Sequence, residues 1–90
     1  MGKYMVERDL PGITSAQLVA AAGSAKRVSQ QMTTEGTPVR YLRSTFVPKE
    51  SKCFCLFEGT SVDAVRQVQE RGKIPFTRIH EANFITAEDV

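Results

Sequence analysis

An α+β fold with the element order β-α-β-β-α-β is predicted by three features of the chain. Two stretches repeat apolar residues at helical spacing behind a capping residue, four are β-rich with a period near two, and turn residues stand at the junctions. With 90 residues the chain is long enough for one core and too short for two, so residues 1–90 form a single domain.

The first strand is expected over Lys3 to Arg8, with Tyr4 and Val6 on one face and Met5 and Glu7 on the other, closed by Leu10-Pro11-Gly12. A helix follows, because Thr14 with Gln17 three residues on makes a capping box and Ile13 stands where a hydrophobic staple on Leu18 would start. Leu18, Ala21, Ala22, Ala25, Val28 and Met32 line one face of it, Gly36 ends it, and Pro38 prevents a restart. Val39 to Val47 is β-rich, and Pro48-Lys49-Glu50-Ser51 is a polar hairpin connection. The next strand, Cys53 to Phe57, is apolar on both faces: Cys53, Cys55 and Phe57 on one, Phe54 and Leu56 on the other. Thr60 or Ser61 caps a second helix with Asp63 in its first turn and Val62, Val65 and Val68 facing inward. Arg71-Gly72 ends that helix, Pro75 marks a turn, and Arg78 to Ile85 is the last strand.

Two right-handed crossovers in this order give the ferredoxin-like split: a four-stranded antiparallel sheet with both helices on one face. The other sheet face is then bare, while the strand Cys53 to Phe57 carries apolar residues for both. A second copy of the chain is the expected cover, giving a homodimer of the dimeric α+β barrel type with a cavity between subunits.

Composition excludes several function classes. Apolar residues at 41% and charged residues at 24% are ordinary for a globular domain. Twelve basic against ten acidic residues leave +2 with the signs interspersed, which is no electrostatic footprint for nucleic acid or an anionic membrane. The RNA-recognition motif shares the element order, but the strand at Lys52 to Phe57 lacks its glycine and carries Leu56 where a stacking aromatic is needed. The opening MGKYMVERDL has no apolar h-region, and two free cysteines suit a reducing compartment, so a cytoplasmic location is expected.

No phosphate-cradling loop, nucleophile elbow or HExxH motif occurs. Chemistry must therefore come from isolated polar residues. Glu7 points into the expected dimer cavity if Tyr4 and Val6 meet the helices; Arg43 is the expected partner of that carboxylate, and Cys55 is a third candidate for binding a small ligand. For a metal, the donors are His80, Cys53 and Cys55, with Glu7, Glu58 and Glu81 as carboxylates. Against these stand plainer roles: a structural ion pair for Glu7, a strand-edge or pocket-lining position for His80, and small buried hydrophobes for both cysteines, since free Cys is among the most buried residue types.

The opening Tyr4-Met-Val-Glu7-Arg8-Asp-Leu-Pro11-Gly12, the middle Arg43-Ser44-Thr-Phe46-Val, the strand Cys53-Phe-Cys55-Leu-Phe-Glu and the run from Ala64 through Gly72, Pro75 and Arg78 resemble, as a set, a bacterial family. It is a family of small ferredoxin-like proteins, catalogued as a domain of unknown function and often labelled nickel-binding. The resemblance covers nearly the whole chain. It implies a dimeric ferredoxin-like fold and a site for nickel or another divalent metal, with no established reaction. The functional expectation is a small ligand-binding protein holding a metal in or near the dimer cavity. The alternative is a cofactor-free enzyme of the oxygenase or cyclase kind that uses the same cavity.

Overall fold

The computed structural model describes all of residues 1–90. The elements run β1 (Gly2–Asp9), α1 (Ser15–Thr34), β2 (Val39–Val47), a 3-10 turn (Pro48–Glu50), β3 (Lys52–Gly59), α2 (Val62–Gly72) and β4 (Arg78–Glu81), with a last 3-10 turn at Ala87–Asp89. All strand pairs are antiparallel in the order β2-β3-β1-β4, which is the ferredoxin-like topology expected of the sequence. β1 and β3 are the central strands. No helix is long and apolar enough to cross a membrane.

Local chemistry accounts for the elements. Thr14 caps α1 in extended conformation: Gln17 N donates to Thr14 Oγ1 at 3.1 Å and Thr14 N donates to Gln17 Oε1 at 3.0 Å, so two orphan amides are satisfied reciprocally. Beyond the last turn, Gly36 takes φ +106, a conformation closed to most side chains. Ser61 caps α2 by accepting from Ala64 N at 3.2 Å, and Lys73 at its C-terminal end adopts the left-handed conformation usually left to glycine. The glycine instead stands one residue earlier, at Gly72, where a Cβ would lie 3.1 Å from Ser24 Oγ and from Ile74 Cδ1. That glycine serves the close approach of the two helices.

β3 alternates strictly: Cys53, Cys55, Phe57 and Gly59 are buried and the residues between them half-buried. With Val6, Val39, Ala25, Met32, Val65, Val68 and Ile74, the buried members form one core between the sheet and both helices, so both helices lie on the Cys53 face. Phe54 and Leu56 lie on the opposite, helix-free face, together with Met5 and Glu7, their register partners on β1.

Two sequence expectations change. Val62 is exposed, because it opens the first turn of α2 and the helix is oriented by Ala64, Val65 and Val68. The last strand stops at Glu81 rather than Ile85. In the register Tyr4↔Glu81, Ala82 N still reaches Lys3 O at 2.9 Å, and beyond it β1 has only Gly2 left, too little to carry the strand on to Ile85.

Candidate functional site

The helix-free face carries one connected polar cluster, centred on Glu7. Neighbouring strands bring its partners: β4 supplies Arg78, directly opposite Glu7, and His80, while β3 supplies Lys52 from its first residue. His80 Nε2 donates to Glu7 Oε1 at 2.9 Å, Lys52 Nζ donates to Glu7 Oε2 at 3.2 Å, and Arg78 Nε lies 3.8 Å from Oε1. Lys52 also bridges to Asp9 at 2.7 Å, and Thr77 Oγ1 donates to Asp9 at 3.1 Å. The Glu7 side chain is only 14% exposed, against 62% for Arg78 and 38% for His80, so the carboxylate sits beneath a rim of nitrogen donors.

The electrostatics follow from these contacts. Hydrogen bonds from His80 and then Lys52 hold Glu7 below the ordinary carboxylate value. Lys52 and Thr77 do the same for Asp9, and the two carboxylates, Asp9 first, raise Lys52 above the usual ammonium value. Chemically the cluster is a partly shielded carboxylate with an imidazole against it. It can hold a cation if its own cations move aside, or orient a polar ligand through them.

The other expected residues are divided between the two faces. Arg43 stands on the helix-free face, but opposite Leu56 on β2, so β3 separates it from Glu7. The partners of Glu7 are Lys52, His80 and Arg78 in its place, because the β2-β3-β1-β4 order makes β3 and β4, not β2, the neighbours of β1. Cys53 and Cys55 face the helices, with their sulfurs 3.8 Å apart. His80 is on the other side of the sheet. The thiols and the imidazole therefore do not converge on one ion within a chain, and no three His, Cys, Asp or Glu side chains lie together in metal-binding proximity.

Arg8 is the residue that sequence reasoning missed. It is 2% exposed on the core face, where Nε donates to Cys55 Sγ at 3.3 Å, Nη1 to Pro75 O at 3.1 Å and Nη2 to Gln69 Oε1 at 2.6 Å. No carboxylate pairs with it. Ser44 Oγ shares hydrogen bonds with Cys55 Sγ at 3.0 Å and with Tyr41 OH at 2.7 Å. Burial, and then the neighbouring Cys55, push the Cys53 thiol up to about 11. The available signal was alternation itself: if Val6 is core, so is Arg8. A void of about 10 Å³ adjoins this cluster, bounded by Arg8, both cysteines, Ser44 and the small residues of α1. A separate open groove of about 460 Å³ runs between α1 and β2, past Lys26, Thr33, Arg40 and Tyr41.

Comparison with known proteins agrees with the fold. The chain is similar to a solved structure described as the crystal structure analysis of SCO4226 from Streptomyces coelicolor A3(2), with 28% identity and a TM-score of 0.79 over 93% of this chain and 99% of that one. No curated protein gives a significant match. The family model described as "Nickel responsive protein SCO4226-like" matches residues 4–82, from the first strand to the end of the last, and the chain belongs to that family.

Proposed function

We propose that the protein binds a divalent metal ion such as nickel on the helix-free face of its sheet, between two copies of the chain, each copy supplying His80 and Glu7. The observation that carries this reading is the 2.9 Å contact between the imidazole and a carboxylate that is only 14% exposed. Imidazole and carboxylate both suit borderline divalent ions. One chain stops at two such donors, since it holds a single histidine and no third ligand stands nearby. A two-fold copy doubles the set to four, and the half-buried apolar residues of that face, Met5, Phe54 and Leu56, favour such a pairing. The family description supports nickel as the ion.

Lys52 and Arg78 hold the same carboxylate, so metal entry must displace them. The test is native mass spectrometry with calorimetric nickel titration of untagged protein. One ion per dimer is expected, with His80→Ala abolishing it and Lys52→Ala tightening it. A monomer throughout, or nickel retained at unchanged stoichiometry by His80→Ala, would refute the reading.

A second reading draws on a specific feature, the cationic rim over Glu7. Lys52, Arg78 and, across β3, Arg43 suit an organic anion lodged between subunits, with Glu7 as polar anchor or general base in a cofactor-free enzyme. An organic adduct in the native mass spectrum, in place of an ion, would favour it.

A further inference from the structure

We propose that Cys53 and Cys55, with Arg8 beside them, form a second site on the core side of the sheet, which takes a soft univalent ion of the copper(I) or silver(I) class as a two-coordinate bis-thiolate. The site is distinct from the Glu7 cluster, because the two lie on opposite faces of the sheet.

Geometry comes first. The sulfurs are 3.8 Å apart, nearly twice a disulfide bond of about 2.05 Å, and residues two apart on a strand close such a bond only by distorting the backbone. Two collinear metal–sulfur bonds of about 2.3 Å, the arrangement a two-coordinate ion of this class takes, set the sulfurs about 4.6 Å apart, so small rotations of the two side chains that part the sulfurs by less than about 1 Å admit a bridging ion. Thiolate is the donor class that selects soft ions. No other His, Cys, Asp or Glu joins the pair, which suits an ion content with two ligands.

Charge then selects the valence. Arg8 is a guanidinium at 2% exposure whose acceptors are a thiol, an amide oxygen and a backbone carbonyl, so its hydrogen bonds are satisfied while its charge is not. A buried cation without a counter-charge is unfavourable. Binding exchanges two thiol protons for one ion: M⁺ and two S–H groups give a bis-thiolate of charge −1 and release two protons. That complex neutralises Arg8. A disulfide is neutral and so is the bis-thiolate of a divalent ion, and either would leave Arg8 as it was. Arg8 Nε and the Ser44 hydroxyl are already within reach of Cys55 Sγ to donate to the thiolate that forms. The adjoining void of about 10 Å³ has room for about one water, which favours a bare ion passed on by thiol exchange over a hydrated one.

The test uses the full chain, reduced and kept under nitrogen, titrated with copper(I) or silver(I) against a competing chelator. Native mass spectrometry is expected to show one ion per chain with the loss of two protons. Copper K-edge absorption on the unsubstituted protein is expected to show a first shell of sulfur alone, a readout that needs no variant. Cys53→Ser and Cys55→Ser should each lower affinity at least about a hundredfold, as loss of one of two ligands would. Arg8→Met combined with Gln69→Leu, which removes the charge together with its main acceptor, should lower univalent affinity at least about tenfold and zinc affinity by clearly less, since a zinc bis-thiolate loses the donor from Arg8 but no charge pairing. No stoichiometric ion, a nitrogen or oxygen first shell, zinc displacing copper(I) at equal concentration, or unchanged affinity in the Arg8→Met/Gln69→Leu protein would each overturn the proposal.

Discussion

Replacing Arg8 by Met sets two opposed effects against each other, and the contacts decide the sign. The substitution keeps an apolar stem in the core and removes a charge that no carboxylate offsets, a relief worth several kcal/mol in the limit of complete desolvation. It also leaves Gln69 Oε1, a buried acceptor, without its donor, at about 1–3 kcal/mol, and ends the part-buried bond to Pro75 O and a weaker contact to Cys55 Sγ. The bond to Gln69 is short, at 2.6 Å, and charge-assisted. Gln69 is itself 1% exposed and tied by Nε2 to Val65 O at 2.9 Å, so it has no solvent to turn to. The lost bonds should therefore prevail, with a net destabilisation of about 2 kcal/mol. For a domain of this size that corresponds to a fall in Tm of about 8–16 °C, read by circular dichroism with urea unfolding as a check. Adding Gln69→Leu removes the stranded acceptor and should recover about half of the loss, since the two residues touch and their effects are not additive. An Arg8→Met protein as stable as the parent, or more so, would refute this reasoning: desolvation of the guanidinium would then outweigh everything it donates.

Lys73 holds a left-handed conformation with φ +52, so Lys73→Gly should raise stability by about 0.5–1 kcal/mol, seen as a Tm increase of a few degrees. Glu7 is held below its ordinary value of 4.5, so its contribution is present above that pH and is lost as pH falls through the lower folded value. Glu7→Gln should therefore flatten the acid limb of the stability profile below pH 4.5, and an unchanged limb would contradict the hydrogen bonds drawn here. Leu56→Arg, on the helix-free face opposite Arg43, should shift a dimer toward monomer in light scattering while leaving the far-ultraviolet spectrum intact. The Cys53 thiol, pushed up to about 11 by burial and by Cys55, should resist iodoacetamide at pH 8 in the folded protein and react promptly in denaturant.

The element order was legible because each element announces its own ends: the capping box at Thr14 and Gln17, the hairpin turn before Lys52 and the strict alternation of β3 are local signals, and the structure reproduces them. The position of Glu7 on the helix-free face followed from alternation on β1. Its partners did not: the expected ferredoxin-like order already sets β3 between Arg43 and Glu7, and finding Lys52 and His80 in its place requires the register of β1 against β3 and β4, which no local pattern carries. The pooling of His80 with the cysteines failed for a related reason: side chains on different strands share a site only if register puts them on one face, and Cys55 pairs with Val6 while His80 pairs with Met5. The early end of β4 lay beyond local inspection for the same cause, since it is set by where β1 begins.

Glu7 and Arg8 are adjacent on a central strand, and pleating sends them to opposite faces, the carboxylate to the helix-free side and the guanidinium into the core. Each finds its partners only there: Lys52, Arg78 and His80 for the one, Gln69, Pro75 and Cys55 for the other. A slip of β1 by one residue would carry the carboxylate into the place of Arg8, against Cys55 and Gln69, and expose the guanidinium to Lys52 and Arg78. Apolar residues alone would resist that slip weakly, because Met5 could stand in for Val6 in the core. The two charges make it prohibitive. Their structural role thus precedes any ligand: the same pair that fixes the register of β1 places a carboxylate with an imidazole on one face of the sheet and a buried cation beside two thiols on the other.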